Sequence, residues 1–240
     1  MRLTDFKAMS FDVYGTLIDW ESGIITGLKP LTDQVSRSLS RNEILEAHAH
    51  HESTTQRQTP DKIYSRLLAV VYKRLAEEWG IATKWENCLA YGRSVEDWPA
   101  FEDSAGALQY LKRYYKLVVL SNIDNASFAH SNKKLKVTFD AAYTAEDIGS
   151  YKPSPRNFEY MIENLARLGI EKQDILHTAE SMFHDHAPAN QFGLANCWIY
   201  RRHGQEGFGA TMNPAEMPNY GVVFNNMLGL VEAHQAELAT

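Results

Sequence analysis

The most suggestive chemistry in the chain is an aspartate set between a short apolar run and a glycine turn, in Phe11-Asp12-Val13-Tyr14-Gly15-Thr16-Leu17. Open α/β sheets bind their ligands at the carboxyl ends of strands, so Asp12 is expected at such an end. A carboxylate held and desolvated there is a competent nucleophile. It forms a covalent ester and splits one hard displacement into two easier steps. Other polar groups fall just beyond later apolar runs. Ser121 and Asn122 follow residues 117–120, Tyr151-Lys152-Pro153 come after 141–144, and Glu180, Ser181, His184, Asp185 and His186 follow 175–179. In a parallel sheet these loops share one edge. A lysine beside Asp12 lowers its pKa by about 1–3 units and keeps it ionised. Thr16 and Ser121 can donate hydrogen bonds to substrate or to an oxyanion, and Asp185 can orient or deprotonate the water that cleaves the ester.

The elements that must position these groups are legible in outline. Residues 8–11 read as the first strand, and the next clear strand comes only at 117–120. Between them the pattern is helical. Ser40-Arg41-Asn42-Glu43 has capping-box spacing, and Thr59-Pro60 is expected to open a second helix, with proline at its first position. Ile63, Leu67, Leu68, Val71 and Leu75 lie on one face of that helix and Gly80 closes it. From Asp97 onward helices (103–114, 127–135, 155–168, 187–192, 227–238) alternate with strands (141–144, 175–179, 197–200, 221–224). This alternation implies an α/β fold, a Rossmann-like doubly wound parallel sheet with a helical cap inserted after the first strand. The expected division is residues 1–18 as core, 19–96 as cap domain and 97–240 as the rest of the core.

Composition narrows the class. With 44% hydrophobic and 22% charged residues in 240, the chain reads as an ordinary globular protein. A formal charge of −6 without a basic cluster argues against nucleic acid. Cys88 and Cys197 form no disulfide framework, and strand-like sequence begins too early for a secretory signal. No apolar run has the length of a membrane span. A cytoplasmic protein without a membrane partner is expected. His48, His50 and His51 are read as a solvated helix face, Trp20, Trp85 and Trp98 as packing residues with Trp20 near the entrance, and Gly204, Gly207 and Gly209 as a flexible loop.

On these residues the chain resembles the haloacid dehalogenase superfamily of hydrolases over nearly its whole length. Four pieces occur in order: Asp12 in FDVYGTL, Ser121 in VVLSN, Lys152 in YKPSP, and the acidic loop 180–185. The phosphatases of that superfamily carry a second aspartate two residues after the nucleophile, where this chain has Tyr14. FDVYGTL, Ser121-Asn122, Tyr151-Lys152-Pro153 and the CWIYR stretch at 197–201 resemble instead the L-2-haloacid dehalogenase branch. That resemblance implies a metal-independent, cofactor-free enzyme acting on a small-molecule carboxylate, and a homodimer by analogy. Its aspartate attacks the carbon next to the carboxylate, and water then cleaves the ester. The catalytic set it implies is Asp12, Lys152, Asp185, Thr16 and Ser121, with Tyr14, Asn122, Arg41, Trp20, Phe158 and His184 around the substrate.

Three departures from the branch bear on the substrate. Phe158 stands where the branch has tyrosine, the fourth motif lacks a serine–asparagine pair and flanks Asp185 with histidines, and the halide-holding arginine has only Arg41 as counterpart. The expected reaction is therefore ring-opening of L-azetidine-2-carboxylate to a hydroxy amino acid, whose ring nitrogen leaves without a halide cradle. Glu180, His184 and His186 are the groups expected to favour its cation, with at most one of the two histidines facing the site because they alternate about Asp185. Dehalogenation of an (S)-2-haloacid is the alternative. A magnesium-dependent phosphatase using Asp12, the Tyr14 carbonyl and Asp185, and a non-catalytic binding module, are more distant ones.

Overall fold

The computed structural model describes residues 1–240. Six strands, β1 (Ala8–Phe11), β2 (Lys116–Ser121), β3 (Ala141–Thr144), β4 (Ile175–Ala179), β5 (Ala195–Ile199) and β6 (Val222–Phe224), form one parallel sheet in the order β3-β2-β1-β4-β5-β6. The order reverses around β1, so Asp12 leaves the sheet where neighbouring crossovers go to opposite faces and a crevice opens. Parallel strands covered on both faces must be apolar on both. β1 is buried throughout, and β2 is buried from Leu117 to Ser121. Residue alternation then feeds two separate cores: Met9, Phe11, Leu117 and Val119 pack on one side, Ala8, Val118, Leu120 and Ile175 on the other.

Five α-helices lie between β1 and β2, and the first four form the insert: α1 (Trp20–Thr32), α2 (Arg41–Gln58), α3 (Tyr64–Glu78) and α4 (Trp85–Arg93). The capping box forms as its spacing predicts, Glu43 N donating to Ser40 Oγ (3.2 Å) and Ser40 N to Glu43 Oε2 (2.8 Å). Thr59-Pro60 differs from expectation. Thr59 closes α2, its N–H donating to the Thr55 carbonyl, and α3 begins at Tyr64 after a turn. Proline at a first helical position and proline just past a helix end share one sequence signature, because both exploit the missing N–H. Gly80 ends α3 in the left-handed conformation.

The remaining helices, α5 (Ser104–Leu111), α6 (Asn125–Leu135), α7 (Ala145–Ile148), α8 (Pro155–Arg167), α9 (Ala187–Gln191) and α10 (Met227–Leu238), cover the sheet. Asp124 ties insert to core: its Oδ1 caps α6 at Ser127 N (2.8 Å) while its Oδ2 accepts from Ser65 N in the first turn of α3 (2.9 Å). One sequence reading is corrected. His48 is fully buried in the insert, and neither of its ring nitrogens has a partner. The 201–221 segment is folded down, burying Ala210 and Thr211. At Gly209 (φ +62°) a Cβ would come within 1.8 Å of the Glu21 carboxylate, so only glycine lets that segment cover the buried Arg202–Glu21 ion pair. No helix is long and apolar enough to cross a membrane.

Candidate active site

Asp12 lies at the end of β1, 6% exposed, and both of its oxygens have donors. Lys152 Nζ donates to Oδ1 (2.9 Å) and Thr16 Oγ1 to Oδ2 (2.9 Å). Thr16 is itself fixed, accepting from Glu180 N (2.9 Å). Its carbonyl accepts two bonds from Arg201 (3.0 and 2.9 Å), whose guanidinium forks onto Asp103. Gly15 (φ +94°) makes the turn between them, with Trp20 Nε1 3.0 Å from where a Cβ would stand. The Asp12 loop is thus held from behind by the residues that follow β4 and β5 and by Asp103 at the start of α5.

Lys152 is fully enclosed and joins three acceptors: Asp12 Oδ1, the Leu120 carbonyl (2.9 Å) and Asp185 Oδ1 (2.6 Å). Asn122 clamps its backbone, accepting from Lys152 N (2.7 Å) and donating to its carbonyl (3.0 Å). The Lys152–Pro153 peptide is cis. Burial pushes the ammonium pKa down, but the two carboxylates outweigh it and raise it. Burial pushes Asp185 up, and Lys152 with the His177 hydrogen bond overrides this and holds it well below the carboxylate range. For Asp12 burial wins: it is raised, with Asp185 adding to the rise and Lys152 opposing it. A buried, charge-paired but raised carboxylate is more reactive than one stabilised by water. The ammonium occupies the place between the two acids.

The cavity over Asp12 is tight, about 20 Å³ being open to the centre of a water molecule. It brings together Asp12, Tyr14, Trp20, Ser121, Asn122, Lys152, His184 and Asp185 as the sequence suggests. Tyr14 Oη pairs with Ser131 Oγ (2.7 Å), and burial pushes the phenol up, so it stays protonated. One turn of π-helix at Met182–His186 carries His184 and Asp185 inward. His184 Nδ1 lies 3.2 Å from both Ser181 Oγ and Thr211 Oγ1, and burial lowers its pKa to about 4, leaving a neutral ring. Ser121 Oγ, Asp185 Oδ2 and His184 Nε2 are buried without a partner. Three unsatisfied polar atoms on one small cavity are what a substrate or a water must satisfy.

Two expected residues, Arg41 and Phe158, lie elsewhere, and so do Glu180 and His186, leaving His184 as the one histidine of its loop that faces the cavity. Arg41 is half-exposed, 3.5 Å from Glu21, and lines a neighbouring cavity with Glu180. Its place in the first turn of α2 directs it along the helix toward that acid. Phe158 is fully buried in the core beneath the sheet, edge-on to His177 (5.2 Å) and stacked on Phe192. Glu180 faces the second cavity, its pKa raised to about 8 by burial. His186 turns back to the Ala179 carbonyl (3.0 Å).

The insert contributes a wall the sequence reading missed: Glu52 and Gln56 of α2, and Tyr64. Glu52 is 3% exposed, accepts from Tyr64 Oη (2.7 Å), and is raised by burial to about 7. The signal was present in the i, i+4 series His48, Glu52, Gln56, a polar stripe on one helix face. His177, a histidine within the apolar strand β4, was likewise legible as an anomaly.

Sequence and fold comparisons agree with this geometry. A model of the haloacid dehalogenase-like hydrolases matches residues 6–178. An (S)-2-haloacid dehalogenase of Pseudomonas sp. (strain YL) is 27% identical over 200 residues, 81% of this chain and 83% of that one. The (S)-2-haloacid dehalogenase 4A of Burkholderia cepacia is 25% identical over 205 residues, covering 82% and 84%. The solved L-2-haloacid dehalogenase of Xanthobacter autotrophicus superposes with a TM-score of 0.78 over 96% of this chain and 98% of that one, at 18% identity. Matched by that family model over residues 6–178, the chain belongs to the haloacid dehalogenase-like hydrolases.

Proposed function

We propose that this hydrolase displaces the leaving group from the α-carbon of a small 2-substituted carboxylate through an ester on Asp12, and that its substrate is L-azetidine-2-carboxylate. The observation that carries the choice of leaving group is Glu52, a buried carboxyl on the wall facing Asp12, where no free guanidinium lines the cavity. A halide departs as an anion, and an acid beside it is repulsive. A ring ammonium departs as a neutral amine, and an acid that titrates near neutrality both attracts the cation and exchanges its proton.

In this reading an oxygen of Asp12 attacks Cα, and the C–N bond breaks with its electron pair staying on nitrogen. The amine is then reprotonated. Lys152 keeps Asp12 ionised despite its burial and offsets its repulsion of the substrate carboxylate. Ser121 Oγ and Asn122 lie on the lining within reach of that carboxylate or of the later oxyanion. Water then attacks the ester carbonyl, orientated by Asp185. The inserted helices, taken as a cap domain over residues 19–96, supply the part of the cavity that selects substrate. A cytoplasmic homodimer belongs to the same proposal, and sedimentation at working concentration tests its dimeric part.

(S)-2-haloacid dehalogenation is the second reading, supported by the two dehalogenases at 25–27% identity. Parallel assays with L-azetidine-2-carboxylate and (S)-2-chloropropionate decide between them, and faster chloride release than ring-opening reverses the order. One turnover in heavy-oxygen water tests the shared mechanism, since the label must enter Asp12. Activity lost to a strong chelator would favour a metal-dependent phosphatase instead.

A further inference from the structure

Behind the acids, on the buried face of the sheet that Phe158 covers, a polar chain continues where an apolar core is expected. Ser10 and His177 are direct register partners on β1 and β4, both fully buried. Ser10 Oγ lies 2.9 Å from His177 Nδ1, and His177 Nε2 lies 2.9 Å from Asp185 Oδ1. Phe158 closes the ring's open side edge-on at 5.2 Å. Nothing in the displacement at Asp12 requires a histidine here, and a buried imidazole in a strand is costly unless both nitrogens are used.

We propose that His177 is the positioning residue for the second half of the reaction, and this rests on the reading of Asp12 as an ester-forming nucleophile. Asp185 Oδ1 takes two donors, Lys152 Nζ at 2.6 Å and His177 Nε2 at 2.9 Å, whereas Asp185 Oδ2 is buried without any. The asymmetry matters once Asp12 is esterified. Asp12 then loses its charge, and Asp185 is left as the only carboxylate bonded to Lys152. Held by the ammonium alone, the carboxylate can rotate to present either or both oxygens to it. The bond from His177 pins Oδ1 and leaves Oδ2 free for water. A hydrogen on Nε2 is required to bond a carboxylate, and the Ser10 hydroxyl, donating to Nδ1, fixes that tautomer. The water oxygen attacks the ester carbonyl and its proton passes to Asp185 Oδ2. The bond from the carbonyl carbon to the product oxygen breaks, and that oxygen takes up a proton to give the hydroxy acid.

The test separates ester formation from ester hydrolysis by rapid quench and intact mass, with L-azetidine-2-carboxylate and (S)-2-chloropropionate as probes. In His177→Leu, ester formation stays within about threefold of wild type, while hydrolysis slows about 100-fold, the low end of a general-base contribution. The adduct on Asp12 accumulates, and KM falls along with kcat. His177→Gln keeps an N–H near the Nε2 position and recovers hydrolysis at least about tenfold over leucine. Ser10→Ala leaves the ring in place and shows the same split at about threefold, so an unfolded leucine variant does not shield the proposal. Equal slowing of both steps, or no difference between leucine and glutamine, overturns it. Wild-type turnover in heavy-oxygen water that leaves Asp12 unlabelled overturns the parent reading itself, whatever the variants do.

Discussion

The two walls of the cavity hold their carboxyl groups in opposite ways. On the floor, Asp12 and Asp185 share one buried ammonium, and three of their four oxygens have a donor, from Lys152, Thr16 or His177. On the facing wall, Glu52 has one hydrogen-bond partner, Tyr64, with the ring of His48, kept neutral by burial, 4.0 Å away, and burial carries the carboxyl to about 7. The floor is electrostatically compensated before substrate arrives. The wall is not, and a cationic ligand group would supply what it lacks. Floors of this kind set the reaction type, whereas the uncompensated group selects what may react there.

Breaking the floor has the largest effect. Asp12→Asn is expected to lower turnover by at least about 10⁴-fold, the scale of removing a nucleophile, with the fold intact by circular dichroism. Retained turnover would sink the covalent mechanism. Lys152→Met leaves two buried carboxylates uncompensated. Denaturant unfolding should register a loss of about 3–5 kcal/mol at neutral pH, the scale of breaking one side of a buried ion pair.

The wall gives smaller and more selective effects. Glu52→Gln should lower kcat/KM for L-azetidine-2-carboxylate about 30-fold, near the lower bound for removing one charge of a desolvated pair. It should leave (S)-2-chloropropionate unchanged or improved, and parallel losses on both would refute a selecting role. The pH dependence carries a sign. Glu52 ionises as pH rises through about 7, so kcat/KM for the cationic ring rises through that window, while for a haloacid it falls. Glu52→Gln flattens both limbs.

Linkage gives the same group a stability signature. Its folded pKa is raised from 4.5 to about 7, so the native state binds the extra proton between those values, and stability declines as pH rises through them. Glu52→Gln removes that decline, and its stability relative to wild type should improve by about 2–3 kcal/mol between pH 4 and pH 8. The smallest effect is expected at Arg41. Arg41→Ala should change kcat/KM less than about twofold, because its guanidinium faces Glu21 outside the cavity. A tenfold loss on a haloacid would restore it as a halide-holding residue.

The sequence by itself determined the floor. Asp12, Thr16, Ser121, Lys152 and Asp185 each come after an apolar run, and a parallel sheet has only one edge at which such loops can end, so their convergence follows from periodicity and turn chemistry, whereas the strand order that sets β1 between β2 and β4 is decided by the tertiary structure. Phe158 and Arg41 were misplaced because spacing along a helix gives a residue's face but not what lies against that face. Glu52 and His177 could be seen as polar residues out of place, in a helix stripe and in a strand, but not as members of the site. Their roles depend on contacts between segments distant in sequence: the insert folding over Asp12, and β4 pairing with β1 in the register that sets Ser10 beside His177. Local sequence specifies which groups stand at a strand end. Burial and the absence of a compensating charge, which shift a carboxyl to neutrality, exist only once the distant surfaces have met.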